Sequence, residues 1–121
     1  MLKQIHNPDE SYGVVGGVDT HKDMHVAAVV TTTGDVLGTE AFSTTRAGYR
    51  DLAAWAEAFG PIQAFGVEET GSYGAGLTRS LLAKGHTVVE VNRPNRQLRH
   101  QHGKSDPLDA ESAARAVLSR Q

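Results

Sequence analysis

The stretch that decides the fold is Val14-Val15-Gly16-Gly17-Val18-Asp19, a short apolar run that ends abruptly in an acid. The run at residues 25–32 is rich in β-branched residues, and residues 36–43 follow a second turn as a third candidate strand. Short polar turns, His21-Lys22-Asp23 and Thr33-Gly34-Asp35, separate the three runs. Because β-branched residues favour strands and short turns connect antiparallel neighbours, the pattern predicts a three-stranded antiparallel meander.

Downstream of this meander, residues 46–59 have the pattern of an amphipathic helix. Its apolar residues follow helical spacing: Leu52, Trp55, Ala56 and Phe59. Residues spaced in this way lie on one helical face, which can pack against a sheet. Either Thr44 or Thr45 can cap the first turn, and Gly60-Pro61 ends the helix because proline cannot continue it.

The remainder of the chain alternates between strand and helix. Residues 62–68 predict a buried strand, a helix follows up to Lys84 with Gly85 as its cap, and valines at 88–91 mark a fifth strand. Asp106-Pro107 opens a final helix. A meander followed by α/β crossovers predicts an α/β domain with a mixed five-stranded sheet, three strands antiparallel and two parallel, flanked by helices. This is the element order of RNase H-like (RuvC-type) folds.

The composition is that of one small globular domain. The chain has 121 residues, 39% of them hydrophobic, and no cysteine. Neither a disulfide framework nor a thiolate metal site is therefore possible. No stretch has the length of an apolar membrane span, and the polar start does not resemble a secretory signal, so we expect a cytoplasmic protein. We expect residues 1–13 to form a flexible tail and residues 14–121 to form the domain.

The charge distribution indicates a local contact with a polyanion. The net charge is −2, yet residues 92–105 contain no acid and carry several cations: Arg93, Arg96, Arg99 and Lys104, with His100 and His102 beside them. Such a concentrated basic stretch is typical of a nucleic-acid contact. The alternative is a solvated loop or helix face.

Two acids stand at the ends of predicted buried strands. Asp19 ends the first strand, and Glu68 is in phase with Ile62, Ala64 and Gly66 at the end of the fourth. A buried acid costs several kcal/mol unless another group compensates it. The alternative for Asp19 is a structural residue that caps the turn through His21. Glu69 follows Glu68 directly, but it falls past the expected end of the strand.

Two more acids open the last predicted helix. Asp106 is a good N-cap, and Asp109 complements the helix dipole, so a purely structural role is an alternative for both. However, Asp106, Asp109, Ala113 and Val117 share one helical stripe. The two acids should therefore face the body of the protein rather than water.

Four inward acids can converge only if a cation lies among them. Two carboxylates about 4 Å apart repel each other by roughly 4 kcal/mol at an effective dielectric constant of 20. A hard divalent cation removes this repulsion, and carboxylate oxygens suit Mg²⁺ or Mn²⁺. Two such ions can activate a nucleophile and stabilise the leaving oxygen in phosphodiester chemistry. The sequence thus predicts a metal site at Asp19, Glu68, Asp106 and Asp109.

Four blocks of this sequence resemble the DEDD transposases of bacterial insertion sequences. They are Gly17-Val18-Asp19-Thr20-His21-Lys22-Asp23, Glu68-Glu69-Thr70-Gly71-Ser72-Tyr73, Val91-Asn92-Arg93-Pro94 and Lys104-Ser105-Asp106-Pro107-Leu108-Asp109-Ala110. The resemblance implies a RuvC-like domain in which Asp19, Glu68, Asp106 and Asp109 are the catalytic, metal-binding acids. Within the second block the chain departs from the family at Glu69, where a small residue is expected.

The resemblance also implies partners and a longer protein. Family members act on the DNA of the element ends and of the target, and a structured guide RNA is thought to direct them. They continue into a coiled-coil region and a C-terminal domain with a nucleophilic serine, and we expect the whole protein to form a homo-oligomer. This second half is not part of the sequence, so we expect the chain to be the N-terminal domain alone.

Three other classes share features of the sequence. A sugar-kinase or actin-like ATPase begins with a similar Asp-Thr turn and meander, but it needs a second lobe. A non-catalytic nucleic-acid-binding module of the same fold would use the basic stretch and keep the acids for structure. A stand-alone junction-resolving nuclease would use the same acids.

Overall fold

The computed structural model describes residues 13–92 and 106–119. The elements, in chain order, are β1 (Val14–Thr20), β2 (Met24–Thr31), β3 (Val36–Ser43), α1 (Arg46–Glu57), β4 (Ile62–Glu68), α2 (Ala75–Ala83), β5 (Val88–Val91) and α3 (Asp106–Ser119). The predicted flexible tail lies outside the described residues, apart from Gly13. The element order agrees with the one that the sequence predicts.

The strands form one five-stranded sheet in the order β3-β2-β1-β4-β5. β1 pairs with β2 and β2 with β3 in antiparallel fashion, which makes the predicted meander. β1 also pairs with β4, and β4 with β5, in parallel. The sheet is therefore mixed, with β1 at its centre, and the predicted fold class is confirmed.

Residues of β1 are buried along its whole length because helices cover both faces of the sheet. Successive side chains of a strand point to opposite faces. Val14 and Val18 belong to the core beneath α1 and α2, whereas Val15 belongs to the core beneath α3. Gly17 and Asp19 follow Val15 by two and four positions, so they also face α3.

The core beneath α1 and α2 consists of large side chains. Its main members are fully buried: Leu52, Phe65, Leu77 and Leu81. On the other face, α3 lies much closer to the sheet. A Cβ placed on Gly17 would overlap the backbone of Ala110 and Ala114, and one placed on Gly66 would lie 2.6 Å from the carbonyl oxygen of Ala113. Two register-paired glycines therefore let the backbone of α3 rest directly on β1 and β4.

The helix ends follow the predicted signals with one correction. Thr45 is the N-cap of α1, and its hydroxyl accepts from the backbone N–H of Gly48 at 3.0 Å. The helix ends at Glu57 rather than at the predicted Phe59. The N–H of Phe59 bonds to the carbonyl of Ala56, so the chain has already tightened into a turn. In the described ranges, no helix is long and apolar enough to cross a membrane.

Candidate metal centre

Asp19 and Glu68 lie side by side at the carboxyl edge of the two central parallel strands. Val18 of β1 pairs with Val67 of β4, and the two acids are the next residues on each strand. Both face α3, and their exposed fractions are 0% and 2%. Neighbouring strands are about 4.8 Å apart, so the two carboxylates share one small, poorly solvated region.

Asp109 approaches the same region from α3. It precedes Ala110, which packs against Val26, the register partner of Asp19. Val117, two turns further on, packs near Val15 at the opposite end of β1. The helix thus runs with its N-terminus towards the carboxyl edge of the sheet. Asp109 is 2% exposed, so its side chain is buried at this end of the helix.

Two residues to which the sequence pattern assigned no metal or catalytic role hold this edge in place. The Nε2 of His21 lies 2.9 Å from an Oδ of Asp19, and the hydroxyl of Thr20 donates to the backbone carbonyl of Glu68 at 3.2 Å. The His21 contact partly compensates the buried acid, in agreement with the turn-capping alternative considered for Asp19. In the sequence, the consecutive residues Asp19, Thr20 and His21 at the end of the first strand were the signal that could have identified Thr20 and His21 as supporting residues.

Glu69 has different surroundings from Glu68. It adopts a positive φ of 51°, and its backbone carbonyl accepts from the N–H groups of Ser72 and Gly74 in the following turn. Its carboxylate accepts from the Ser72 hydroxyl at 3.1 Å. Its side chain is thus engaged with the turn, whereas that of Glu68 is buried beneath α3.

Some predicted residues cannot be placed in this centre. Asp106 is the first residue of α3, but its side chain lies outside the described part of the structure, as do Arg93, Arg96, Arg99 and Lys104. Among the described residues, no three histidine or acidic side chains form a ready metal-binding group. Buried carboxylate oxygens are nevertheless the donors that Mg²⁺ and Mn²⁺ prefer, so the residues fit such an ion.

His25 is a second buried polar residue near this edge, on the opposite face of the sheet. It is fully buried and its ring stacks on that of Tyr49, with centroids 5.9 Å apart. Burial lowers the pKa of His25 from 6.5 to about 4, against a smaller opposing effect of the Met24 backbone. The imidazole is therefore neutral at pH 7.

Comparison with known proteins gives a family match and a fold match. A model of the IS110-type DEDD family, described as Transposase, matches residues 16–121. No curated protein matches the sequence. The crystal structure of the fowlpox virus Holliday junction resolvase is similar over 88% of this chain and 97% of that chain, with 9% identity and a TM-score of 0.53.

Two further structures complete the comparison. A structure of the fowlpox virus resolvase with its substrate Holliday junction DNA gives the same coverage and TM-score, with 14% identity. A ROK family glucokinase from Streptomyces griseus is 21% identical, with a TM-score of 0.44 over 74% of this chain and 36% of that chain. At these identities the resolvase similarity indicates the fold.

Proposed function

Because the chain belongs to the DEDD transposase family of IS110-type elements, we propose that it uses divalent metal to cleave and transfer DNA strands during transposition. The observation that carries this proposal is the pair Asp19 and Glu68, neighbouring carboxylates buried at one strand edge. Two charges so enclosed repel each other and lack water. A bound divalent cation would offset both costs.

In this proposal, Asp19, Glu68 and Asp109, together with Asp106, hold Mg²⁺ or Mn²⁺. When bound, the metal would activate the attacking hydroxyl and stabilise the leaving oxygen of a phosphodiester. His21 orients the Asp19 carboxylate through its 2.9 Å contact, and Thr20 ties the end of β1 to that of β4. Such support keeps the carboxylates in one geometry as the substrate arrives.

The proposed partners are the DNA of the element ends and the target, and a structured guide RNA. Arg93, Arg96, Arg99 and Lys104 would contact backbone phosphates, because they form a basic stretch directly before Asp106. We further propose that the whole protein acts as a homo-oligomer. Each strand-transfer event joins two DNA molecules, and a multimer can hold both.

The test is cleavage of a fluorescently labelled four-way DNA junction and of a matched linear duplex by this chain. We expect cleavage with millimolar Mg²⁺ or Mn²⁺ and none with a chelator. Asp19→Asn, Glu68→Gln and Asp109→Asn should each lower the rate by at least about 100-fold, because each removes a direct metal ligand. Glu69→Gln is the matched control and should retain the rate.

The outcomes separate the proposal from its rivals. Binding of the junction with no metal-dependent cleavage, in this chain and in a longer family member alike, would favour the non-catalytic module. Cleavage unaffected by the three substitutions would place the chemistry elsewhere.

A further inference from the structure

An arginine-lined pocket lies between α1 and α2, on the face of the sheet opposite the acids. Its volume is about 370 Å³, and it is lined by Arg46, Tyr49, Arg50, Gly76, Arg79 and Ser80. Three of these six residues are cationic, and none is acidic. The pocket therefore concentrates positive charge in a protein whose net charge is −2.

The three arginines have no counter-ion in the part of the chain that the structure describes. Two other cations there are paired: Lys84 lies 3.0 Å from the carboxylate of Glu57, and Arg115 lies 3.6 Å from that of Glu111. Arg46, Arg50 and Arg79 have no such acid within the described ranges and remain exposed. Three unpaired guanidinium groups around one pocket favour an anionic ligand.

The wall of the pocket is built rather than incidental. Tyr49 is held by its stacking on buried His25, and its hydroxyl lies where a Cβ on Gly76 would be only 2.6 Å away. Glycine at position 76 thus allows α2 to approach Tyr49 closely. Arg46 and Arg50, four residues apart, lie on the same side of α1. The Tyr49 and Ser80 hydroxyls add hydrogen-bonding groups to the three cations.

The pocket lies towards the same edge of the sheet as the acids. α1 begins shortly after Ser43, which pairs with Met24 at the carboxyl edge of β1. α2 follows the carboxyl end of β4 after one turn. A DNA strand that crosses this edge at Asp19 and Glu68 can therefore continue towards α1 and α2.

We propose that the Arg46–Arg50–Arg79 pocket binds a backbone phosphate of DNA whose strand lies across the carboxyl edge of the sheet. Guanidinium groups bind phosphate oxygens through paired N–H donors, which fits the charge of the pocket lining. The choice of DNA rests on the proposed function, whereas the phosphate site rests on the pocket itself. This contact is separate from the one predicted for residues 93–104.

The experiment measures binding of a labelled 30-base-pair DNA duplex to the full chain by fluorescence anisotropy, with a chelator present. The test variant is Arg46→Gln/Arg50→Gln/Arg79→Gln. Each phosphate contact contributes roughly 0.9 to the slope of log K against log salt, so loss of the one phosphate contact in this pocket should lower the slope by about 0.9. The affinity at low salt should fall by at least about tenfold.

Arg115→Gln is the control for loss of an arginine outside the pocket, because Arg115 contacts the Gly34 carbonyl at the opposite edge of the sheet. It should leave the slope unchanged. Thermal melts establish that the exposed substitutions leave the fold intact. Asp19→Asn separates the two proposals: it should abolish cleavage and retain the pocket-dependent binding.

An unchanged slope and affinity in the triple variant would overturn the pocket assignment, whatever the cleavage assay gives. An equal loss in Arg115→Gln would do the same, because the effect would then reflect net charge. A parallel titration with an RNA hairpin of equal length tests the choice of nucleic acid. Arginine-dependent binding of the RNA with no such dependence for DNA would overturn the DNA assignment.

Discussion

The two faces of the sheet differ in how closely their helices approach. Beneath α1 and α2, large side chains such as Phe65 and Leu77 fill the space and are fully buried. Beneath α3, paired glycines and helix alanines bring backbone against backbone. The first face is built as an ordinary core, whose burial stabilises the fold. The second face is packed with smaller apolar side chains and also holds the acids.

This difference shows why α3 needs small residues in its contact. The carboxylate of Asp109 can meet those of Asp19 and Glu68 only if the helix lies close to β1 and β4. A larger side chain at position 17 or 66 would lift the helix from the strands and carry Asp109 away. The close packing of α3 would therefore serve the proposed metal centre as well as the core.

The largest expected effect comes from an extra methyl group on each face. In Gly17→Ala the new Cβ would overlap the backbone of Ala110 and Ala114, whereas in Gly16→Ala it would lie 2.5 Å from the ring of Phe65. The ring of Phe65 can shift to make room, whereas the backbone of α3 can move only if the whole helix moves. We expect Gly17→Ala to lower the free energy of unfolding by about 3 kcal/mol or more, and Gly16→Ala by about 1 to 2 kcal/mol.

Urea unfolding of both variants measures this difference, and hydrogen exchange shows where protection is lost. In Gly17→Ala the loss should concentrate in α3. Equal destabilisation of the two variants would show that the faces are packed alike.

Most of the fold could be predicted because local patterns and tertiary structure agree. The bounds of β3 and β4 match the predicted 36–43 and 62–68, since turn residues flank both runs. The end of α1 was misjudged because apolar spacing continues past the helix. Phe59 still packs edge-on against Trp55, with centroids 5.2 Å apart, although the backbone has left the helix.

Only part of the candidate metal site could be predicted from the sequence. Phase along β4 singled out Glu68, and phase along α3 indicated that Asp109 turns inward, as its burial shows. The pairing of Gly17 with Gly66 was not visible, because register between strands distant in sequence depends on tertiary packing. The same is true of the arginine pocket, whose cations come from two helices.

The second prediction concerns metal at the α3 face. We expect millimolar Mg²⁺ or Mn²⁺ to stabilise the protein, because an ion that binds only the folded state adds about 2.7 kcal/mol at a hundredfold excess over Kd. Asp19→Asn should raise the stability of the metal-free protein, since it removes one of the repelling charges, and should erase the gain from metal. Thermal melts with metal and with a chelator measure both effects.

Glu69→Gln is the control for that experiment and should keep the gain. Its carboxylate is engaged by Ser72 in the turn rather than buried beneath α3. Loss of the metal response in Glu69→Gln alone would mean that Glu69, rather than Glu68, is the ligand. A wild-type melting temperature indifferent to metal would leave the acids with a structural role.

The smallest expected effect lies on the α1 and α2 face, at His25. Its pKa is lowered by burial from 6.5 to about 4, so the folded state binds the proton less readily than the unfolded chain. Stability from this residue is present above pH 6.5 and is lost as the pH falls towards 4. Between pH 7.5 and 5.5 we expect a loss of about 1 kcal/mol.

His25→Phe isolates this effect because it keeps an aromatic ring on Tyr49 and removes the titrating group. Other groups also contribute to the pH dependence of stability, and a coulombic effect of His21 adds slightly to the lowering of the pKa of His25. The relevant quantity is therefore the difference between the two proteins in the pH dependence of urea unfolding. The wild type should lose about 1 kcal/mol more than His25→Phe over this interval. Parallel curves would mean that the ring gains a proton as easily in the folded protein as in the unfolded chain. In that case the α1 and α2 face would tolerate a buried charge, and the contrast between the faces would rest on packing alone.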